Sequence, residues 1–395
     1  MNNSEKTYTY LPIDTGNTQI FLVGYLSLLF RLLVEMSSII NFDSWVYNAM
    51  TLVFVASMMY IIMNQSMKTG FLIKLSIAFL IIIVSYLKMQ YFFIVISFLG
   101  IIACANVDFI KVLRYSYRIK AFWLALHIFI YIVTYICTPE KIDYSYRNGE
   151  MRHYFFLSHA NTFSMLLVWT ILEFMYVNRK RVTLLQMAVL WVCNVILNMF
   201  CDSKTSMITS TIIIFLMILY KSPIELPFRW VHTAAKYGFG VMSILSCLII
   251  VFYGSYNSVM MSVFSMLDQI FTGRLLFGAF AYDTEGWTLL GKTAEFSHTV
   301  YWEGHWFDSL IMDNAYLYCF LYLGTIYLIV ISIGFFLAEK YMDDMECIFV
   351  IAYILYAITE NYVVNIVFCF PLMFISYAVY HHRFAGQVKQ REVKK

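Results

Sequence analysis

Apolar residues dominate this chain in long runs, and short polar breaks separate one run from the next. The pattern predicts twelve helices, over residues 18–40, 45–63, 71–87, 91–105, 120–137, 154–176, 183–200, 204–220, 237–253, 313–338, 346–359 and 361–380. A bilayer core of about 30 Å needs roughly 20 apolar residues per helix, and most of these runs approach that length. Two neighbouring pairs, 71–105 and 346–380, contain short members and are expected to be tilted, bent or re-entrant. Removing a whole pair leaves the direction of every other helix unchanged.

Composition supports the same reading. Of 395 residues, 61% are apolar and 13% charged, too little charge to cover a soluble protein of this length. A soluble enzyme, a nucleic-acid binder and a disordered chain are therefore excluded. The expected fold is all-α and integral to the membrane, one polytopic domain over 1–395 with no internal repeat and no appended soluble domain. The 8 cysteines (104, 137, 193, 201, 247, 319, 347 and 369) fall singly, mostly inside apolar runs. They form no CxxC pair or Cys/His cluster, which argues against a disulfide framework or a structural metal. The N-terminus shows no small-residue cleavage site after a short apolar core, so the first span is expected to be retained.

Net charge is only +3, so the distribution of charge carries the information. Lys111/Arg114/Arg118/Lys120, Arg179/Lys180/Arg181, Lys221/Arg229/Lys236 and the tail from Arg383 to Lys395 all fall on one side of the predicted helices. Positive charge marks the cytoplasmic side, which puts both termini there. Two outer loops then stand out. Residues 138–153 are rich in charge and tyrosine, and residues 254–312 form a much longer loop where an outward-facing activity would be built. Ser258–Phe271 reads as an interfacial helix, and Trp287, Trp302 and Trp306 suit an interface or a sugar-stacking surface.

Helices that descend from the outer side present unpaired N–H groups and a positive dipole end outward, which favours anions. Four of them begin on polar residues. Arg152 precedes the helix 154–176, which then carries Ser158-His159-Ala160-Asn161-Thr162; Asp202-Ser203-Lys204-Thr205 opens the helix at 204; Asp313-Asn314 opens the helix at 313; Glu360-Asn361 opens the last. Capping alone accounts for any one of Asp202, Ser203, Asp313 or Asn314. His159 and Asn161 fall about two turns into an apolar helix on this reading, where polar groups need a partner or a cavity, and an early start would set Arg152 and His159 on one face. Arg274 stands in Phe271-Thr272-Gly273-Arg274-Leu275, where arginine suits bidentate phosphate contact and glycine permits close backbone approach; a lipid-headgroup contact would look the same. Within the spans, Arg31 and Glu35 read as an i, i+4 ion pair, with a proton or ion path as the sharper alternative, and Glu173 reads as reaching the cytoplasmic interface.

The order of these motifs, from Arg152…His159-Ala-Asn161-Thr162 through Asp202-Ser-Lys204-Thr205 and Thr272-Gly273-Arg274-Leu275 to Asp313-Asn314-Ala-Tyr316, resembles the Wzy-type oligosaccharide repeat-unit polymerases. The likeness runs from about residue 150 to 365 and includes the helix number and the late outer loop. It implies a GT-C-like membrane glycosyltransferase of the bacterial cytoplasmic membrane. Such an enzyme uses polyprenyl-diphosphate-linked oligosaccharides and needs no nucleotide, metal or other cofactor. It moves the growing glycan onto the non-reducing end of a fresh lipid-linked unit, with release of polyprenyl diphosphate. Its expected partners are these substrates, the lipid bilayer, a flippase and chain-length regulator proteins, with no nucleic acid. Lys204 departs from the pattern, because family members often carry arginine there and lysine lacks the bidentate fork.

On that reading Arg274 and Arg152 meet the diphosphate, with Lys204 assisting. His159 is the first choice to accept the acceptor hydroxyl's proton, Asp202 the second, with Glu360 and Asp313 behind them. Asn161, Asn314 and Thr205 orient these groups or bind sugar hydroxyls. Three rival classes are weaker. A polysaccharide ligase needs the same diphosphate chemistry, a lipid-linked-oligosaccharide flippase should show pseudo-repeat halves, and a major-facilitator transporter should carry its longest loop inside.

Overall fold

The computed structural model describes residues 13–65, 67, 69–147, 149–222, 229–253, 264, 266, 268, 273–293, 300–302, 305–307 and 312–381. The basic tail from Arg383 and, apart from 264, 266 and 268, the interfacial helix expected over Ser258–Phe271 lie outside the described residues. The chain folds as α1 (Thr15–Glu35), α2 (Ser44–Met63), α3 (Thr69–Met89), a short α4 (Phe93–Ala103), α5 (Phe109–Cys137), α6 (Ala160–Val177), α7 (Leu184–Cys201), α8 (Lys204–Lys221) and α9 (Arg229–Phe252). A hairpin of β1 (Tyr144–Arg147) and β2 (Glu150–His153) joins α5 to α6. After α9 come α10 (Arg274–Glu285), a second hairpin of β3 (Val300–Trp302) and β4 (His305–Phe307), α11 (Ala315–Tyr318), α12 (Thr325–Ala338), α13 (Asp344–Ala357) and α14 (Ile375–Tyr380).

All of α1 to α9 except α4 are long and apolar enough to cross a membrane, eight among the described residues. The architecture is that of an all-α, multi-pass membrane protein. Burial sorts these helices. In α6 the apolar window is 83% buried, against 6% in α3, so α6 is the axis of the bundle and α3 lies at its rim. Around the axis α5 packs on α6, α8 on α7 and α13, and α9 on α12 and α13. Side-chain caps start several helices: Asp14 on α1, Asp108 on α5, and capping boxes of Thr183 with Gln186 on α7 and Asp343 with Glu346 on α13.

The four remaining expected spans are short or interrupted. The stretch 313–338 breaks at a π-turn, Cys319–Leu323, followed by Gly324 with φ +106°. A Cβ there would meet the Leu289 carbonyl oxygen at 2.6 Å and the Gly291 nitrogen at 2.9 Å, so only glycine fits. The segment 288–292 fills the gap and restores the hydrogen bonds that the break removes. Thr325 and Ile326 donate their amides to Thr288 and Leu289, and Lys292 donates its own to Tyr322.

The stretch expected as a helix over 361–380 forms instead two 3-10 turns, Asn361–Val364 and Phe370–Phe374, before the short α14. Pro371 cannot continue an α-helical ladder, and non-helical backbone at membrane depth survives only when protein groups satisfy it. They do so here. Ser97 of α4 donates to the Val364 carbonyl at 2.6 Å, while Tyr25 of α1 and Lys120 of α5 donate to that of Val367 at 3.2 and 2.6 Å.

Two further expectations are corrected. Glu173 does not reach an interface: it is fully buried on α6 and holds the equally buried Lys120 at 2.6 Å. The helix after Arg152 begins at Ala160, not 154, because Phe155 and Phe156 take left-handed φ values of 50° and 57° and His159 caps the first turn. His159 and Asn161 thus sit at a helix start, and Arg152 lies on a strand rather than on their helix face. Arg31 and Glu35 do form the expected pair, at 3.5 Å.

Candidate functional site

Arg152 reaches its place from β2, opposite Ser145 in the hairpin. Its side chain is buried against the last turn of α7, where Nε donates to the Cys201 carbonyl at 3.0 Å and Nη2 to Asn161 Oδ1 at 2.7 Å. A cation on the orphan carbonyl of a helix C-terminus is favourable in itself. Arg152 therefore ties α7 to the first turn of α6. Asp202 follows directly, in the left-handed conformation that closes α7, with Lys204 Nζ 3.9 Å from its carboxylate. The Lys204 side chain is 75% exposed at the start of α8, with half-buried Thr205 beside it.

His159 stands at the N-cap of α6, its ring stacked on Tyr154. Its Nδ1 accepts the Asn161 amide at 3.1 Å. A neutral imidazole that accepts at Nδ1 carries its proton at Nε2, so in this pose His159 is a hydrogen-bond donor and poorly placed as a base. In β2 the neighbouring His153 takes the Tyr131 hydroxyl at 2.6 Å, and burial holds its pKa below the ordinary value.

A second group assembles from three distant stretches. Gly273, with φ +84°, turns the chain into α10 and puts Arg274 at its first position. The Arg274 guanidinium lies 3.3 Å from Asp313 Oδ2 and 3.7 Å from Glu360 Oε1. Glu360 is buried, 3% exposed, and Asp313 is 30% exposed, so the cation joins an inner and an outer carboxylate. Asn314 is the N-cap of α11 and accepts the Leu317 amide; Asn361 Nδ2 donates to the Met312 carbonyl at 3.0 Å and holds the 313 and 360 strands of the chain together.

The structure thus brings Arg274, Asp313 and Glu360 into direct contact, with Asn314 beside them. It groups Arg152 with Asn161, and Asp202 with Lys204. A hydrogen bond between Thr162 on α6 and Tyr362, at 3.3 Å, links the first turn of α6 to the Glu360 turn. Sequence reasoning passed over Tyr362 and Asp268, and gave Asn361 no part beyond opening the last helix with Glu360. Asp268 accepts the Leu275 and Leu276 amides at 2.9 and 3.0 Å and so occupies the anion position at the start of α10. An acid shortly before a Thr-Gly-Arg turn was the available signal for it, as was the hydroxyl next to Glu360-Asn361 for Tyr362.

The arrangement can neutralise an anion at Arg274, the first residue of α10, and move a proton at a carboxylate. No family model, curated protein or solved structure matches the chain.

Proposed function

We propose that this protein is a membrane glycosyltransferase that polymerises polyprenyl-diphosphate-linked oligosaccharide units at the outer face of the bacterial cytoplasmic membrane. The observation that carries the reading is the Arg274 guanidinium clasped between Asp313 and Glu360. The motif order resembling the Wzy-type polymerases supports it. In the proposed orientation both termini are cytoplasmic, and α4, the interrupted stretch 313–338, α13 and the stretch 361–380 complete twelve crossings in a GT-C-like bundle.

The chemistry follows from the charges. A diphosphate leaves the anomeric carbon as a stabilised anion, so the main requirement is a cation where negative charge develops. Arg274 supplies it, with exposed Lys204 assisting, and the buried Glu360 holds the guanidinium in place. The acceptor hydroxyl oxygen bonds to the anomeric carbon as the carbon–oxygen bond to the diphosphate breaks, and its proton passes to a nearby carboxylate. Asp313 is the more exposed member of the triad and takes that role, ahead of His159 and Asp202. Arg152 and Asn161 act by positioning the start of α6. Thr205 lines the approach of the sugar, while Asn314, buried as the N-cap of α11, orients the neighbouring Asp313.

The test compares lipid-linked and surface glycans of a deletion strain complemented with wild type or Arg274→Ala. Loss of long polymer with accumulation of single, externally exposed lipid-linked units is the expected result. Long polymer retained on its lipid would identify a ligase, units trapped inside would identify a flippase, and unchanged glycans would refute the proposal.

A further inference from the structure

Trp287 stands just past the end of α10 and is 54% exposed. A single exposed tryptophan needs no explanation by itself. This one is built on other rings. Its indole lies nearly parallel to the Phe320 ring, at 5° with centroids 6.1 Å apart. Phe320, in the π-turn, stacks in the same way on Tyr282 of α10, at 19° and 6.1 Å. The last turn of α10, the turn after it and the interrupted stretch 313–338 thus contribute one aromatic group, with Trp287 as its exposed member.

The turn that carries Trp287 is fixed from both sides. Lys292 Nζ donates to the Glu285 and Gly286 carbonyls at 2.6 and 3.0 Å and stands 3.5 Å from the Glu285 carboxylate. Thr288 donates its amide to the Phe320 carbonyl at 3.3 Å, and its own carbonyl accepts the Thr325 amide at 2.9 Å. The indole is held before any ligand arrives, which spares the ligand the cost of ordering it.

The rim decides what such a surface suits. Asp283 is exposed in the last turn of α10, and the Glu285–Lys292 pair closes its end. Charged groups are expensive in hydrocarbon, which argues against placing this turn among acyl chains. Carboxylates and an ammonium beside an open indole offer acceptors and a donor for the hydroxyls of a sugar, whose apolar C–H face the indole meets. The placement relative to Arg274 fits as well. Helix α10 has 12 residues, with Arg274 first and Glu285 last, so its ends lie about 17 Å apart, within reach of a short oligosaccharide.

We propose that Trp287, backed by Phe320 and Tyr282, is a sugar-stacking platform for the oligosaccharide of the substrate, spaced from Arg274 by α10. This rests on the reading of the protein as a transferase of lipid-linked glycan, and adds a binding residue remote from the reacting bond. Such a residue holds ground state and transition state alike, so its loss raises KM and spares kcat.

The test uses the full chain in proteoliposomes and the free oligosaccharide of one repeat unit, prepared by partial hydrolysis of the producing strain's surface polysaccharide. Oxidation of Trp287 by hydroxyl radicals, read by mass spectrometry, should fall several-fold when the oligosaccharide is added. Absence of protection would overturn the platform. So would protection by the bilayer alone, with oxidation low in vesicles, high in detergent and unmoved by sugar, which would make Trp287 a membrane anchor. With synthetic polyprenyl-diphosphate-linked units, Trp287→Ala should raise KM about tenfold at unchanged kcat, and Trp287→Phe should restore most of the loss. An unchanged KM in Trp287→Ala would likewise refute it. A wild-type protein that extends no unit, yet is protected at Trp287, would refute transfer alone and leave the platform standing.

Discussion

Lys120 and Glu173 meet where no water can screen them, with neither side chain exposed. Removing one partner of such a pair strands a buried charge, whereas replacing both with apolar groups of similar volume is far milder. Lys120→Met should therefore destabilise the protein by about 3–5 kcal/mol, and Lys120→Met/Glu173→Leu should recover most of that loss in thermal unfolding in detergent. Nothing nearby in the sequence announces this pair. Lys120 reads as the last member of a cytoplasmic basic cluster at the start of a helix, and its partner comes from the far end of α6, beyond the β1–β2 hairpin. His153 gives a second prediction. Burial lowers its folded pKa below the ordinary 6.5, so the unfolded chain binds the proton more readily and stability rises with pH through that window. Stability from this group is complete above about pH 6.5 and falls as pH drops toward its folded value. A melting temperature measured across that range should decline on the acid side, and His153→Gln should flatten the decline.

Among the elements, those interrupted at membrane depth were hardest to read, because hydropathy registers apolar character and not backbone continuity. Residues 361–380 are as apolar as a helix, yet Pro371 and the side-chain donors Ser97, Tyr25 and Lys120 hold them in turns. Tyr154–Leu157 likewise continued an apolar run, and only the left-handed Phe155 and Phe156 delay the helix to Ala160. The long helices were legible, since unbroken apolar length alone specifies them. Of the polar helix starts, those at Asp202–Lys204 and Asp313-Asn314 were legible, whereas the one at His159 was expected six residues early and Glu360-Asn361 opens a 3-10 turn. Nor was it legible which of them touch, since Asp313 and Glu360 meet Arg274 through tertiary folding that no spacing encodes. The break at Gly324 makes its own prediction. Gly324→Val adds a side chain at φ +106° against the Leu289 carbonyl, and should expel the segment 288–292 from the gap. Limited proteolysis in that segment should accelerate sharply in the variant, while Gly70→Val, where a Cβ meets nothing within 4 Å, should behave as wild type.

Across the whole molecule, a buried central helix carries polar contacts at both ends, and the candidate site lies at the end where α6 and α8 begin. Four carboxylates (Asp202, Asp268, Asp313 and Glu360) share that end with Arg152, Lys204 and Arg274, so the site is not a simple cationic funnel. Its chemistry depends on one guanidinium held between an inner and an outer acid. The most direct measurement is reconstitution of the purified protein in proteoliposomes with synthetic polyprenyl-diphosphate-linked repeat units as the sole substrate. Wild type should form glycan longer than one unit and release one polyprenyl diphosphate for each bond made. Arg274→Ala should slow this by about 10²–10³-fold. Failure of the folded wild-type protein to extend any lipid-linked unit, or full activity in Arg274→Ala, would contradict the account.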